Sequence, residues 1–432
     1  MGLFRILPDL GMSYASTLEI SRQPQGATRL ASSLLGFQVL LSVVTVLLCL
    51  GLGRALYDGV IWSAVVILTL DMVLKELKTT LRWLLKALER FGVEAVSLLA
   101  ERMLILVFGT AALVLGYGVV GFAIAFLAVR LFDAAALYVF VNARIVTVRP
   151  RVDVALWGEL FRKGLPFAYA GLVITLVFQV DAVLLQAMKG AVEVGIYRAP
   201  TLVLEGLTLV PRILGYALIP TMAALHARRS DLVGRLFRRG LKYLLLAGMP
   251  VAIFGVLESD RFVDLLFGDR FAQSVPVSRV LLPAALFMFL SNFSETALAC
   301  INRWRSIVIA STAALLLNIA LNLAWIPRSG AMGSAWATLA TEAAYFAMTL
   351  AAMKRAGHAG PGPLTLLSSL LPCVAFGVVL WLLRPLPVVV AGIVASAAFA
   401  AATWGFGIWD DAERTALREL IHGRKPDAGA LA

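Results

Sequence analysis

The chain has 432 residues, of which 60% are hydrophobic and 15% charged, and its mean hydropathy is +0.88. Soluble domains are about half apolar and about a quarter charged, so this composition excludes a cytosolic enzyme, a secreted disulfide scaffold and a disordered chain. The net charge of +12 could suggest nucleic acid, but basic cytoplasmic loops of a membrane protein give the same excess.

Twelve apolar stretches along the chain are long enough to cross a bilayer, which takes about 20 residues. Their apolar runs are continuous and lack the alternation of barrel strands, so they predict an all-α polytopic membrane protein. The predicted spans are 34–57, 59–76, 99–117, 119–140, 164–187, 200–224, 240–257, 277–298, 305–326, 331–353, 364–383 and 387–408.

The basic residues between the spans predict the orientation, because cytoplasmic loops are enriched in Lys and Arg. With the amino end placed in the cytoplasm, 27 of the 38 basic residues fall in inside segments, 8 in outside segments and 3 within spans. We therefore predict that both termini are cytoplasmic. The basic excess then requires no nucleic-acid partner.

Two connections divide the chain. The segment 141–163 is basic and contains Pro150, and the segment 354–363 is rich in Gly and Pro. These breaks predict an N-terminal lobe of four helices (1–150), a C-terminal lobe of six (151–356), and two further helices with a short tail (357–432).

The region 72–90 is amphipathic. Its basic residues step by three or four along one helical face, and leucines occupy the other. This pattern predicts a helix that runs out along the cytoplasmic leaflet.

Ionisable side chains inside a bilayer are costly, and they mark a pathway or a paired site. Arg130 and Asp133 are three residues apart, a spacing that allows an ion pair on one helix. Glu205 and Arg212 share a helix face, and Pro211 is expected to break that helix and open backbone groups to a cavity. The set within the spans is Asp71, Glu101, Arg102, Arg130, Asp133, Asp181, Glu205, Arg212, Glu295 and Glu342.

Arginines near mid-membrane in both halves predict a cationic cavity, because guanidinium groups bind phosphate bidentately. The carboxylates of the later spans leave open a drug-binding cavity, or coupling to protons or sodium ions. Asn318 and Asn322, four residues apart in the ninth span, predict interhelical hydrogen bonds.

Enzymatic and metal-binding patterns are absent from the sequence. Cys49, Cys300 and Cys373 are scattered through apolar stretches, and the three histidines do not cluster. No phosphate-binding Walker loop occurs. The largest predicted external loop, 258–276, spaces its carboxylates like an amphipathic surface helix. We therefore predict no enzyme activity, no metal and no cofactor.

Several stretches carry a resemblance to a known family. In order and spacing they resemble the Wzx-type polysaccharide and O-antigen flippases, whose superfamily also contains MATE drug exporters and lipid II flippases. The stretches are DLGMSYASTLEISRQP (9–24), LVFQVDAVLLQAMKGAVEVGIYRAPTLVLE (176–205), LVPRILGYALIPTMAAL (209–225), RFVDLLFGDRFAQSVPVSRVLLPAALFMFLSNF (261–293) and NIALNLAWIPRSGAMGSAWATLATE (318–342).

The resemblance is incomplete at the amino end. The family has fourteen helices, and its first two are not found here beyond the stub at 1–24. The twelve spans would be the third to the fourteenth. We expect in-frame codons upstream of Met1 that encode two more apolar spans, and stop codons immediately upstream would refute this expectation.

The resemblance implies a transporter of the inner membrane with two lobes around a central cavity. It would flip an undecaprenyl-pyrophosphate-linked oligosaccharide by alternating access. Its partners would be the membrane lipids and, in the same biosynthesis, a polysaccharide polymerase and glycosyltransferases.

Under this interpretation two groups of residues carry the function. Arg102, at the inner mouth, Arg130 and Arg212 would bind the pyrophosphate. The gating or coupling residues, with a proton or a sodium ion as the coupling ion, would be Asp133, Asp181, Glu205, Glu295 and Glu342.

Three alternatives stay open. If the protein is a cation-coupled drug exporter, deletion of its gene should make the strain sensitive to drugs. A membrane glycosyltransferase or polymerase would change the linkage or length of a glycan. A non-transporting, truncated family member would be recognised by the upstream reading frame.

Overall fold

Helices make up nearly all of the chain that the computed structural model describes, namely residues 26–56, 59–88, 90–215, 230–406 and 408–409, with single residues at 12, 13, 16, 20 and 222. No strand occurs among these residues, which confirms the all-helical prediction. Seven of the described helices are long and apolar enough to cross a membrane. Most of the stub at 1–24 and the tail after Trp409 lie outside the described residues.

The helices coincide in position with the predicted spans. One helix, α9, contains two spans. The described part of the span at 200–224 is divided between α6 and a helical segment at 209–215, and most of 216–224 lies outside the described residues. The helices are α1 (Ala27–Leu56), α2 (Gly59–Ala87), α3 (Phe91–Val114), α4 (Gly118–Arg144), α5 (Val154–Lys189), α6 (Ala191–Leu207), α7 (Ser230–Phe267), α8 (Ser274–Cys300), α9 (Trp304–Arg355), α10 (Pro363–Leu382) and α11 (Val388–Gly405).

The chain forms two compact units, residues 1–176 and 177–432. The division falls inside α5, whereas the sequence suggested a boundary at 150/151. The reason is that α5 runs unbroken from Val154 to Lys189. Its beginning packs in the first unit, where the Trp157 indole N–H donates to the Ser33 carbonyl at 2.9 Å. Its end supplies Asp181 to the second unit.

The linker between α4 and α5 is held tightly against the start of α1. The Arg151 N–H donates to the Ser32 carbonyl at 3.0 Å, and a Cβ on Gly36 would collide with the Arg151 backbone. Asp153 accepts from the Arg29 guanidinium at 2.8 Å. This hydrogen bond, with a second from a backbone N–H, holds the pKa of Asp153 below its usual range.

The amphipathic region at 72–90, predicted to lie along the cytoplasmic leaflet, is largely part of a longer helix, some of whose charges are buried. It continues α2 without a break to Ala87, and the side chains of Lys78 and Arg82 are buried with carboxylates of α3 and α4. The periodic basic face therefore serves charge pairing inside the first unit. Periodicity alone could not distinguish these two partners, because head groups and buried carboxylates both attract cations.

In the second unit, α8 is central and packs against α6, α7 and α9, while the α10–α11 hairpin packs against α7. Phe237 and Phe293 stack with ring centroids 6.0 Å apart. A Cβ on Gly240 would collide with the Phe293 ring, so this glycine lets α7 and α8 approach closely.

The longest helix, α9, is broken at Gly330. A straight helix of 52 residues would be roughly 78 Å long, more than twice the hydrocarbon thickness of about 30 Å. Gly330 has a φ of 53° and a non-helical ψ, a conformation that glycine adopts without a Cβ penalty. A Cβ on Gly333 would collide with the Trp325 carbonyl, so the two halves, which match two predicted spans, lie close together.

Candidate functional site

Ionisable side chains within the helices gather into separate clusters in the two units. The cluster of the first unit, which we call the charge network, joins α2, α3 and α4. Its side chains are at most 13% exposed. The network consists of Asp71, Lys78, Arg82, Glu101, Arg130 and Asp133.

Glu101 is the hub of the charge network. Its Oε2 lies 2.7 Å from Lys78 Nζ and 2.8 Å from Arg82 Nη2, and its Oε1 accepts from Arg130. Three cations from two other helices therefore converge on one carboxylate of α3. Charge-assisted hydrogen bonds of this kind are about twice as strong as neutral ones.

The predicted ion pair between Arg130 and Asp133 does not form. Arg130 Nε donates to Asp71 Oδ1 at 2.9 Å, and Asp133 Oδ2 lies 2.7 Å from Lys78 Nζ. Each residue thus finds its partner on another helix, which sequence spacing within one helix cannot reveal. The network balances three cations with three carboxylates, so the Arg130 guanidinium is already engaged in this arrangement.

The two other predicted phosphate-binding arginines lie outside the charge network. Arg102 is next to Glu101 in the sequence of α3 but is exposed, and Arg212 is exposed on the 209–215 segment. Glu205 pairs with Arg198, at 2.9 Å from Oε1 to Nη1, and not with Arg212. The helix is interrupted at Thr208, close to the expected break. Pro211 lies in the first turn of the 209–215 segment that follows, where the helix needs no N–H from it.

The second unit has an anionic centre, which we call the Asp181 site. Asp181 is 5% exposed and accepts three hydrogen bonds from neutral donors. Tyr197 OH donates at 2.6 Å and Thr338 Oγ1 at 2.9 Å, both to Oδ2, while Asn322 Nδ2 donates to Oδ1 at 2.7 Å. No Lys or Arg among the described residues pairs with this carboxylate.

The Asp181 site combines residues that sequence reasoning treated separately. Asp181 was predicted as a coupling residue, and Asn322 as an interhelical hydrogen bonder, which the bond to α5 confirms. Tyr197 and Thr338 were missed as partners. Tyr197 lies in the stretch that resembles the flippase family, but nothing in the pattern says that its hydroxyl meets Asp181.

The break in α9 builds this site. Asn322 lies eight residues before Gly330 and Thr338 eight residues after it, and the reversal of the chain brings both to Asp181. Ser334 Oγ donates to Asn322 Oδ1 across the hairpin at 2.9 Å. The Ala331 N–H, at the start of the second half, donates to Glu193 Oε2 at 2.6 Å, which satisfies a free helix-end N–H.

Gly330→Ala tests the role of this break. An Ala side chain is strained at φ 53° and would collide with the Glu193 carboxylate, so we expect a loss of about 1–3 kcal/mol in stability together with reduced activity. Thermal unfolding in detergent measures the first effect. Gly206→Ala in α6, where a Cβ meets nothing within 4 Å, is the matched control. Wild-type stability of Gly330→Ala would contradict the proposed strain.

Two more predicted coupling residues lie elsewhere in the second unit, between α8 and α9. Glu342 Oε2 accepts from Ser291 Oγ at 3.1 Å, and Glu295 Oε2 accepts from Tyr345 OH at 2.9 Å. These carboxylates, like Asp181, are hydrogen-bonded to neutral groups.

The two clusters differ in what they can do chemically. The charge network is compensated and holds three helices together. The Asp181 site, with Glu295 and Glu342, is an uncompensated set of carboxylates that can accept a proton or a monovalent cation. The described residues contain no group of three or more His, Cys, Asp or Glu side chains that could hold a metal ion.

Comparisons with known proteins agree with the sequence resemblance. A family model described as "Polysaccharide biosynthesis protein" matches residues 1–226, and the MatE model matches residues 166–324. A putative O-antigen transporter of Shigella flexneri is 24% identical over 156 residues, which is 36% of this chain. The chain matches only 37% of that relative's length.

Solved structures show the fold. Lipid II flippase MurJ in an inward closed conformation matches with a TM-score of 0.75 at 14% identity, covering 98% of this chain and 90% of MurJ. A multidrug resistance MATE family transporter of the MOP superfamily, in an inward-facing conformation, matches with a TM-score of 0.67 at 14% identity. That match covers 82% of this chain and 88% of the transporter.

Proposed function

Because the chain belongs to the polysaccharide biosynthesis protein family of membrane flippases and transporters, we propose that it flips a lipid-linked oligosaccharide of the undecaprenyl-pyrophosphate type. The flipping would go from the cytoplasmic to the outer leaflet of the inner membrane, for polysaccharide or O-antigen synthesis. The family match over residues 1–226 carries this proposal. The chain is a multi-pass membrane protein, and the activity that we propose for it is transport, as in its families and structural neighbours.

An apolar groove in the second unit supports a substrate with a lipid tail. It has a volume of about 610 Å³, and among the described residues that line it Ser396 is the one with a polar side chain. A polyprenyl chain suits such a surface, because apolar side chains and an apolar tail gain van der Waals contacts when they pack closely. Residues that line it on α6, α7, α10 and α11 include Val203, Phe254, Phe262, Phe376, Val389 and Ile393.

The head group of the substrate would need cationic partners. Arg212 is the candidate that the structure leaves exposed and without an ion pair among the described residues, so its guanidinium is available to a pyrophosphate. Arg102 is exposed as well and would act at the inner mouth. Arg130 would contribute only if the charge network rearranged.

Transport against a gradient needs a coupling ion, and the Asp181 site is our candidate for it. A proton or sodium ion at Asp181 would neutralise a buried carboxylate and favour one of two conformations. Glu205, paired with Arg198, and Asp133, within the charge network, would act as gating residues. A polymerase and glycosyltransferases would be the partners in synthesis.

Deletion of the gene, including any upstream extension, tests the function. Lipid-linked glycans and surface polysaccharide would be measured together. We expect intact lipid-linked repeat units to accumulate while surface polymer is lost. Unchanged pools and an unchanged surface would refute the proposal, and a changed linkage or polymer length would favour an enzyme of glycan assembly.

Complementation of that deletion with Arg212→Ala tests the head-group site. We expect the variant to accumulate to normal levels in the membrane and to fail in restoring surface polymer, because the pyrophosphate loses its unpaired guanidinium. Lys189→Ala, at the exposed end of α5, is a control for loss of a surface charge. Full activity of Arg212→Ala at normal expression would remove this role.

A cation-coupled drug exporter is the second candidate. Two observations favour it: the MatE match at residues 166–324 and the likeness to a multidrug transporter fold. Drug sensitivity of the deletion strain with unchanged glycans would select this alternative. The match of the family model to residues 1–226 is the reason that we rank flipping first.

A further inference from the structure

Two carboxylates face each other across α8 and the second half of α9. Ser291 and Glu295 lie four residues apart on α8, and Glu342 and Tyr345 lie three apart on α9. Each helix contributes one carboxylate and one hydroxyl, and the hydrogen bonds cross between the helices, from Ser291 to Glu342 and from Tyr345 to Glu295. We call Glu295 and Glu342 the carboxylate pair.

The carboxylate pair has no positive partner. No Lys or Arg among the described residues forms an ion pair with either member. Glu342 lies within electrostatic range of both Glu295 and Asp181, so three carboxylates occupy one region of the second unit. Like charges at close range in a poorly solvated site are unfavourable, and the uptake of a proton relieves this repulsion.

Hydroxyl-bearing and carboxyl side chains recur along one face of the second half of α9. Their spacing of four, four, three and four residues places them on one face of the helix. From the first to the last, the row extends roughly 22 Å at 1.5 Å per residue. The row consists of Ser334, Thr338, Glu342, Tyr345 and Thr349.

We propose that Glu342 and Glu295 carry protons between the Asp181 site and the Arg355 end of α9, so that the coupling ion is a proton. Thr338, which contacts Asp181, precedes Glu342 by one helical turn. In each step the O–H bond of a carboxyl group breaks and its proton binds to the oxygen of the intervening hydroxyl group. The original O–H bond of that hydroxyl breaks, and its proton forms an O–H bond on the next carboxylate. One carboxylic acid and one carboxylate thus exchange roles.

The described groups that interact with Glu342 are Asp181 from α5, Glu295 and Ser291 from α8, and Tyr345 from α9 itself. From α6, Tyr197 is hydrogen-bonded to Asp181. All the titratable members of this set are acids, and none is a base that would hold Glu342 permanently ionised.

The ligand geometry favours a proton over a divalent cation at the carboxylate pair. Each carboxylate has one hydroxyl partner, whereas hard cations such as Ca²⁺ and Mg²⁺ take about six or more oxygen ligands. A hydroxyl group can both donate and accept a hydrogen bond, which is what proton transfer requires.

Infrared spectroscopy of the purified full chain in lipid tests the proposal without any substrate. We expect a protonated-carboxyl C=O band at neutral pH that weakens in Glu342→Gln and in Glu295→Gln. Tyr345→Phe should shift the Glu295 component, because the carboxyl loses its hydrogen bond. Asp260→Asn, at an exposed carboxylate paired with Arg384 at 2.9 Å, should leave the band unchanged. Thermal unfolding verifies that each variant is folded.

Complementation of the deletion strain supplies the second measurement. Glu342→Gln should lower surface polymer at least about 10-fold, within the range typical for a coupling free energy. An unchanged band in folded Glu342→Gln overturns the proposal, and so does a lost band with full activity. A band that disappears when NaCl replaces choline chloride at constant pH also overturns it, in favour of sodium.

The proposal rests on the proposed function only in its claim about transport. If deletion of the gene leaves every glycan unchanged, flipping fails as the function, while the infrared result still decides whether the pair takes up a proton.

Discussion

Asp181→Asn is expected to abolish energised transport while the protein still reaches the membrane. Asn has nearly the same shape, but it cannot become ionised or bind a proton as a carboxylate does. Its amide also provides one acceptor oxygen where three donors, from Tyr197, Asn322 and Thr338, now converge. We expect a fall in surface polymer of at least about 10-fold in the complementation assay.

An Asp→Asn substitution at an exposed position serves as the control. It distinguishes a loss of ion coupling at Asp181 from a general effect of losing one negative charge. Asp269→Asn changes a carboxylate in the short 3-10 helix at Asp269–Phe271 and should complement fully. With Asn at position 181, a donor of a neighbouring residue can be left unpaired, which lowers the stability by about 1–3 kcal/mol. The amount of folded protein must therefore be measured for each variant. Normal transport by folded Asp181→Asn would show that coupling occurs elsewhere.

Lys78→Met is expected to be the most destabilising single change in the first unit. Lys78 is 1% exposed, and its Nζ lies 2.7 Å from both Glu101 and Asp133. Its removal leaves the charge network with one negative charge in excess, and breaking a buried pair in this way costs about 3–5 kcal/mol. Thermal unfolding in detergent, and the yield of folded protein, measure the loss.

A matched variant lies two turns further along the same helix. Lys86 is 38% exposed and 3.6 Å from Glu94, and such surface pairs contribute about 0–1 kcal/mol. Lys86→Met should therefore unfold almost as the wild type does. Adding Asp133→Asn to Lys78→Met rebalances the network and should recover part of the stability. Equal losses for the two lysines would show that the network does not stabilise the unit.

The two clusters suggest a division of tasks between the units. In the first unit every member of the charge network has an opposite partner, so the network resists proton exchange and fixes three helices. In the second unit the carboxylates of Asp181, Glu295 and Glu342 are hydrogen-bonded to hydroxyl and amide groups, so their charge can change as ions bind. We expect substitutions in the first cluster to affect stability, and those in the second to affect transport.

Some ion pairs inferred from spacing within one helix do not form in the structure. The spacing of Arg130 and Asp133 fits an ion pair on one helix, yet stronger partners on α2 and α3 were available. Glu205 likewise pairs with Arg198, because both lie on one face of α6. Sequence spacing gives the partners that are reachable within a helix, but the energies of pairs between helices depend on packing.

The sequence by itself determined the membrane class, the positions of the helices and the family, because hydrophobic length, loop charge and motif order are local properties of the chain. It also identified most ionisable residues of both clusters, since an ionisable residue within an apolar span is rare and easily recognised. Only the tertiary structure decided which charges are compensated. It showed three cations around Glu101 and none at Asp181, and it showed that the break at Gly330 brings Asn322 and Thr338 to one carboxylate. The reason is physical: the pairing of buried charges depends on the distances between side chains from different helices, and these distances exist only after the helices have packed.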